Sequence, residues 1–333
     1  MTVLSLEELH ALGVKALVAC NTAPAIAAEV MDALVAAEAS GQSGHGASRI
    51  PTYAIQAKAG KVDGHALPKM AVLGPSSLRI DAQHGFAYPA MRMALDAVAE
   101  RAGGTGIAIA AIARSHHFGQ AGHHAEKLAE RGLIALIFGN APSAIAPWGG
   151  SKPIFGTNPI AFAAPRQNGE APLVIDLSLS KVARGKVMAA KQKGERIPEG
   201  WAVDADGNPT TDPDAALAGS MLPMGDAKGA ALVLMVEILA AALTGSNAAF
   251  EASSLFDAKG PPPSLGQVVI AIDPTHLSGG QFPARLEAIL QAMLAQEGVR
   301  LPGIRRLAAR EKARQQGITI HDGLLAEIQA LSE

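Results

Sequence analysis

The sequence predicts an α/β protein with more than one lobe, and three observations carry that prediction. From residue 76 to about 250, short apolar runs such as 107–112 and 133–138 alternate with helix-like segments, the pattern of layered helices and strands. The composition is 49% hydrophobic with 35 glycines and only 4% aromatics, which suits helices sitting closely on sheet through small side chains. The length, 333 residues, exceeds the roughly 250–300 that a single core usually serves.

In chain order, Ser5 followed by Leu6-Glu7-Glu8 reads as a capped helix start, the serine and Glu8 forming a capping box. Residues 23–39 continue as an alanine-rich helix with Val30, Met31 and Leu34 on one side. That helix runs into Ser43-Gly44-His45-Gly46-Ala47-Ser48-Arg49-Ile50-Pro51. Residues 52–70 begin with a short helical turn and carry Gly60-Lys61-Val62-Asp63-Gly64, a loop signal. Strands are expected at 107–112, 133–138, 160–163, 173–176 and 268–272. Helices are expected at 123–131, 230–243 (carrying Glu237, which reads as a buried carboxylate), 283–297 and 306–316. Residues 251–266, with prolines at 261, 262 and 263, read as a loop.

A formal net charge of −2 and no basic run longer than two residues exclude the electrostatic footprint of a nucleic-acid binder. The single cysteine, Cys20, excludes an intrachain disulfide and reads as a small core residue. No uninterrupted apolar window of about 18 residues predicts a membrane span. Glu7 and Glu8 stand where a signal peptide would be basic, so the expected location is the cytoplasm.

The turn around His45 places an imidazole and a guanidinium four residues apart, between two glycines and a proline. Glycine lets backbone approach a ligand closely, histidine passes protons near neutral pH, and arginine clamps a carboxylate or phosphate. The plainer alternative is a solvated surface turn. The strand at 107–112 leads into Ser115-His116-His117-Phe118-Gly119-Gln120-Ala121-Gly122 and then a helix, whose free amides suit a phosphate. The Gly-x-Gly-x-x-Gly fingerprint is absent there, and Gly103-Gly104-Thr105-Gly106 precedes the strand, so a Rossmann reading fails on order. Gly225-Asp226-Ala227-Lys228-Gly229 is a second glycine-flanked helix start, with a lysine to meet a pyrophosphate. Lys181, Arg184 and Lys186 add cations after the strand ending at Asp176, unless they are ordinary exposed helix charges. His116, His117, His123 and His124 lack the carboxylate spacing of His-Glu-x-x-His. No metal site is expected, and His123 and His124 read as a solvated helix face. Residues 201–213 lack the glutamate of an acidic calcium loop and read as turns.

In this order, His45-Gly46-x-x-Arg49, Gly60-Lys61-Val62-Asp63-Gly64, Ser115-His116-His117-Phe118-Gly119, Phe155-Gly156-Thr157-Asn158-Pro159, Pro209-Thr210-Thr211-Asp212-Pro213 and Lys228-Gly229 form a collective signature. Over residues 5–325 or so, the chain resembles the malate/L-lactate dehydrogenase family of the non-Rossmann kind. That family includes sulfolactate dehydrogenases and the Δ1-piperideine-2-carboxylate and Δ1-pyrroline-2-carboxylate reductases. The resemblance implies a sulfolactate dehydrogenase-like α/β fold with a mixed sheet, a non-Rossmann dinucleotide site for NADP or NAD, and a homodimer. It implies an N-terminal helical part of a dimerisation and substrate lobe (1–74) and a central cofactor-binding lobe (75–266). A C-terminal strand and helices (267–333) would return to the first lobe.

The implied reaction passes a hydride between the nicotinamide and C2 of a small 2-hydroxy or 2-oxo acid of malate, lactate or sulfolactate type. His45 matches the family's proton donor, and His117 is the second candidate acid. Arg49 matches a position at the substrate and cofactor end of the cleft, with Ser43, Thr157 and Lys186 as further substrate positions. The turn His117, Phe118, Gly119, Gln120 and Ala121 matches cofactor-contacting positions. So do Asp176 and Ser178, Lys228 and Gly229, and Leu301, Pro302 and Gly303. These roles make chemical sense: hydride addition builds negative charge that a positioned imidazole quenches, worth about 10²–10⁴-fold. A cation orients the substrate carboxylate.

Four positions depart from the family pattern. Gly44 stands where many members have a relay serine, leaving Ser43 or Ser48 as substitutes. Lys186 replaces an aspartate of the piperideine reductases, which favours an oxo acid. Asp226 replaces a common glycine, and Ile304 a usual glutamate. Two alternatives remain open from sequence: a cyclic imine reductase, and a catalytically silent nucleotide-binding relative.

Overall fold

The computed structural model describes residues 1–333, the side chain of Gln192 excepted. After the short strand β1 (Thr2–Leu4), Ser5 caps α1 (Leu6–Ala19) as the sequence predicts. Its hydroxyl accepts from the Glu8 amide at 3.1 Å, and the Glu8 carboxylate accepts from the Ser5 amide at 2.7 Å. α1 packs on α2 (Pro24–Ala39) and α3 (Ile50–Lys58), burying Leu9, Leu17, Met31 and Leu34 completely. Cys20 is 2% exposed in this core.

The sequence pattern misses the hairpin β2 (Lys69–Val72) and β3 (Ser77–Asp81), because β2 is exposed along its whole length and shows no alternation. It also misses α4 (Ala87–Thr105), which runs through Gly103 and Gly104 and is capped by Gly106 in the left-handed region. Then follow β4 (Ile107–Ser115), α5 (Ala121–Ala129), β5 (Ile134–Gly139), β6 (Ile160–Ala164) and β7 (Leu173–Leu177), where the apolar runs predict them. A small antiparallel sheet comes next. α6 (Arg184–Lys193) leads to β8 (Ala202–Val203), β9 (Pro209–Thr210), α7 (Pro213–Ala218) and β10 (Ser220–Met221). α8 (Asp226–Glu237) begins four residues before the helix expected at 230 and continues as a π-helical turn, Ile238–Ala242.

β11 (Leu265–Ile272) then inserts into the middle of the main sheet, whose order is β2-β3-β4-β11-β5-β6-β7. Only the β3–β4 pair is parallel, so the sheet is mixed. Side chains of β11 alternate between its faces. Val269 and Ala271 join the core under α4 and α5, while Val268 packs toward α8. After α9 (Pro274–Leu277), α10 (Phe282–Leu294) and α11 (Ile304–Gln316), β12 (Ile318–Ile320) pairs antiparallel with β1 and α12 (Asp322–Ala330) closes the chain. The two chain ends therefore share one core, with Ala313, Ile318 and Ile328 beside Leu9 and Leu17.

The expected division at 74/75 falls inside the β2–β3 hairpin, and that at 266/267 falls inside β11. The first point lies in the turn between two paired strands and the second within a strand, so both belong to the hydrogen-bonded central sheet. Of the C-terminal part, α11, β12 and α12 lie against the first helices, whereas β11 stays in that sheet. No described helix is long and apolar enough to cross a membrane.

Candidate active site

After α2 the chain makes two 3₁₀ turns, Ser43–His45 and Ala47–Arg49, directly into α3. The turns are stapled to themselves and to α2. Arg49 Nε donates to the Gly44 carbonyl (2.8 Å), Ser48 Oγ to the Ser43 carbonyl (2.6 Å), and the Ala47 amide to the Glu38 carboxylate (2.7 Å). His45 and Arg49 are thereby held against the turn that follows β4. The His45 ring lies face to face with His117, centroids 5.3 Å apart and planes 11° from parallel.

Behind this pair stands a polar network. The Tyr53 hydroxyl hydrogen-bonds Nδ1 of His117 and sits 3.2 Å from the Tyr88 hydroxyl. Gly119 has φ +71, and a Cβ there would lie 2.8 Å from the Tyr88 hydroxyl, so this turn needs glycine. His116 is 1% exposed. Gln56 Nε2 donates to the Asp257 carbonyl (3.0 Å), which turns Oε1 toward His116 Nε2 at 2.8 Å. The His116 proton is thus fixed on Nε2 and its Nδ1 is bare.

Charge follows burial here. Loss of solvent, and then the nearby Arg49 guanidinium, bring His45 down to about 4. Burial, then Lys61 and Arg49, bring His116 down to about 3, and burial with the same arginine holds His117 well below the usual imidazole range. Burial pushes Tyr53 up to about 12, so its hydroxyl stays protonated. Among the described residues no carboxylate lies within ion-pair distance of Arg49. A guanidinium without a counter-ion beside neutral imidazoles is an arrangement that accepts an anion.

The candidate relay serines are not engaged with His45. The Ser48 hydroxyl is spent on the Ser43 carbonyl, Ser43 is exposed, and Nδ1 of His45 is buried without a partner. Lys186 is exposed on α6, and no hydrogen bond or ion pair among the described residues joins it to His45 or Arg49.

The positions matched to cofactor contacts converge around β7. Asp176 Oδ2 accepts from the Gly122 amide (2.8 Å) in the first turn of α5, and burial raises the Asp176 pKa. Gln120, the residue before α5, is 3% exposed, and neither atom of its side-chain amide has a partner. Phe118 and Ala121 are buried beside it. Just past β7, Ser178 Oγ meets Ser180 Oγ (2.8 Å). The Leu179 amide donates to the Thr157 carbonyl (2.9 Å), and the Leu179 carbonyl accepts from the Met224 amide (2.9 Å). Gly225 then opens α8, on which Lys228 is exposed and Gly229 presses on the Met224 carbonyl, where a Cβ would sit 1.6 Å away. Gly303 opens α11 beneath the Val174 carbonyl of β7, after Leu301 and Pro302. The unpartnered Gln120 amide, two helix starts and an exposed lysine fit a nicotinamide dinucleotide, whose phosphates need donors and whose carboxamide needs both kinds of partner.

The expected solvated face of His123 and His124 is not what forms. His124 is 3% exposed, and its Nε2 donates to the Phe118 carbonyl (2.8 Å), because α5 lies flat on β5 and β6. His123 is half-buried, with Nε2 enclosed and without a partner, and burial holds its pKa well below the usual imidazole range. Glu126, as buried as His124, pairs with Arg306 (2.9 Å) and Arg310 (2.8 Å) of α11. Tyr53, Tyr88, Gln56 and Lys61 belong to the network and are not among the predicted site residues. A signal for two of them exists: the chain has only two tyrosines, and both are here.

The sequence profile of the malate/L-lactate dehydrogenase family matches residues 4–329. The chain belongs to that family. It is 53% identical over 328 residues to the (2R)-3-sulfolactate dehydrogenase (NADP(+)) of Chromohalobacter salexigens, covering 98% of this chain and 97% of the relative. The Δ1-piperideine-2-carboxylate reductase structure from Pseudomonas syringae pv. tomato superimposes with a TM-score of 0.93 at 39% identity, covering 99% of this chain and 100% of the other. Sulfolactate dehydrogenase from Methanocaldococcus jannaschii gives 0.91 at 29% identity, covering 99% and 96%. The seven-stranded mixed sheet of this family member is thus the sulfolactate dehydrogenase-like fold.

Proposed function

We propose that this NADP- or NAD-dependent oxidoreductase interconverts a small 2-oxo acid and its 2-hydroxy acid, with a sulfolactate-type substrate first among the candidates. The observation that carries the reading is the unpaired Arg49 guanidinium beside the stacked His45 and His117 rings. The nicotinamide, when bound, supplies the hydride to C2. Arg49 holds the substrate carboxylate, and a carboxylate there offsets the positive charge that lowers the His45 pKa. His45 delivers the proton to the former carbonyl oxygen and is reprotonated from solvent, completing C=O to CH–OH. His117, hydrogen-bonded to Tyr53, keeps the imidazole face against which His45 rests. Gln120, Asp176, Ser178, Lys228, Gly229 and the 301–303 turn would hold the dinucleotide, and Thr157 and Lys186 would line the substrate side.

The sulfolactate preference rests on the 53% identity to a dehydrogenase of that name, which also favours NADP. A second reading, reduction of a cyclic imine such as Δ1-pyrroline-2-carboxylate, draws on the likeness to the piperideine reductase. NADPH and NADH oxidation with pyruvate, oxaloacetate, 3-sulfopyruvate and Δ1-pyrroline-2-carboxylate separates them. Turnover with oxo acids alone supports the first reading; turnover chiefly with the imine supports the second; none with any member contradicts both. The exposed apolar side chains Leu232, Leu234, Met235, Ile238 and Leu243 along α8 and its π-helical continuation favour a homodimer. Sedimentation equilibrium tests that, a monomer at micromolar concentration contradicting it.

A further inference from the structure

Lys61 is an unusual side chain: its ammonium is fully inside the protein, 1% exposed, and is caged by one short loop. Nζ donates to the carbonyls of Ser254 (2.6 Å), Asp257 (3.1 Å) and Lys259 (2.6 Å), with Oδ1 of Asp257 at 3.5 Å. Three carbonyls within six consecutive residues thus converge on one fixed cation. Gln56 adds its bond to the Asp257 carbonyl (3.0 Å), the Ser254 hydroxyl accepts from the Phe256 amide (3.1 Å), and the Asp257 carboxylate accepts from the Lys259 amide (2.8 Å). The loop is therefore fastened from inside, and what it presents at its tip is Phe256.

Phe256 is 47% exposed, so core burial does not account for it. Its ring lies 4.8 Å from the Arg49 guanidinium carbon, within the range of a cation–π contact. With Nε committed to the Gly44 carbonyl and one side committed to this ring, Arg49 keeps its two terminal amino groups for an anion. A guanidinium recognises a carboxylate as a planar fork, so the orientation of its plane decides the strength of the grip.

We propose that Phe256 is a positioning residue for substrate, the Lys61-fastened loop holding its ring so that Arg49 presents its free donors to the carboxylate of a short 2-oxo acid. The inference rests on the oxidoreductase reading above. It assigns to residues 254–259 a part in substrate recognition, with no contact of their own to the reacting carbon required.

The test compares steady-state kinetics of wild type, Phe256→Leu and Phe256→Tyr with the best substrate of the panel, and repeats Phe256→Leu in an Arg49→Ala background. Phe256→Leu should raise KM for the acid about 3- to 30-fold, the range set by a cation–π contact. Its kcat should stay within about threefold and KM for the nucleotide within about twofold. Phe256→Tyr keeps the ring face and should restore the wild-type KM. In the Arg49→Ala background the leucine change should add less than about twofold, because the group it orients is gone. An unchanged KM in Phe256→Leu, a tyrosine variant as poor as the leucine one, or an undiminished effect without Arg49 would each overturn the proposal while leaving the oxidoreductase reading intact. Absence of turnover by wild type with every panel member would overturn both.

Discussion

His45 and His117 lie face to face, 5.3 Å between centroids and 11° from parallel, although they come from segments on opposite sides of the site. One rises from the turns between α2 and α3, the other from the turn between β4 and α5. Each is kept neutral by burial first and by Arg49 next. If His45 is the proton donor proposed above, it is loaded mainly once an anion has met the arginine, which would couple protonation to substrate binding.

That coupling predicts a pH dependence. With His45 at about 4 in the free protein, the protonated fraction falls about tenfold per unit as pH rises above that value. Reductive kcat/KM, which reports the free enzyme, should therefore decline across pH 6 to 8. Arg49→Gln removes a positive charge that lowers the imidazole pKa, so the declining limb should begin at higher pH in that variant, on top of a raised KM. Superimposable limbs in the two proteins would show that Arg49 does not set the His45 charge.

Acid stability follows from the same burial. His116 is held down at about 3 and His124 at about 4, both primarily by burial, against an unfolded value of 6.5. Between these values the unfolded chain binds more protons than the folded one, so stability is complete above about 6.5 and drains as pH falls toward 4. Each histidine contributes up to about 1.4 kcal/mol per pH unit over that window. Thermal melts from pH 7 to 4.5 should show a steadily falling Tm. His124→Gln, which keeps an N–H to offer the Phe118 carbonyl but cannot titrate, should flatten the fall; an identical slope would count against the assignment.

Replacing Lys61 is expected to cost far more than a surface lysine would. Lys61→Met fills the same volume but strips three loop carbonyls of their donor. Hydrogen bonds to a charged group contribute about 1.5–3 kcal/mol each, partly recovered as the loop takes up water. A loss of about 3 kcal/mol in chemical denaturation is the expected outcome, with proteolytic nicking of residues 254–259 in native conditions. A loss below about 0.5 kcal/mol, the level of an ordinary surface change, would mean the loop does not depend on its ammonium.

How much of this was legible in the sequence depends on whether the signal is local. The Ser5 capping box, the strands of β4 to β7 and the glycine-led start of α8 announce themselves within a few residues, and the structure has them. β2 does not, because an exposed edge strand carries no hydrophobic alternation. His45 and Arg49 stand out through their flanking glycines and proline. Lys61 lies in a visible loop motif, yet its partners are 193 to 198 residues away, beyond any pattern. His124 looks polar and exposed on its own helix; only the packing of α5 on the sheet reverses that. The absence of a Gly-x-Gly-x-x-Gly turn was legible, but the role of β7 in joining two helix starts is a property of the three-dimensional path.

The most direct test of the account is the rate of NADPH oxidation with 3-sulfopyruvate by wild type and by His45→Gln, at saturating nucleotide. Wild type should turn over, and the variant should lose about 10²–10⁴-fold in kcat, the amount a positioned general acid supplies, while nucleotide affinity is unchanged. If wild type oxidises NADPH with this substrate and His45→Gln does so at a comparable rate, the proton comes from elsewhere and the central assignment of His45 is wrong.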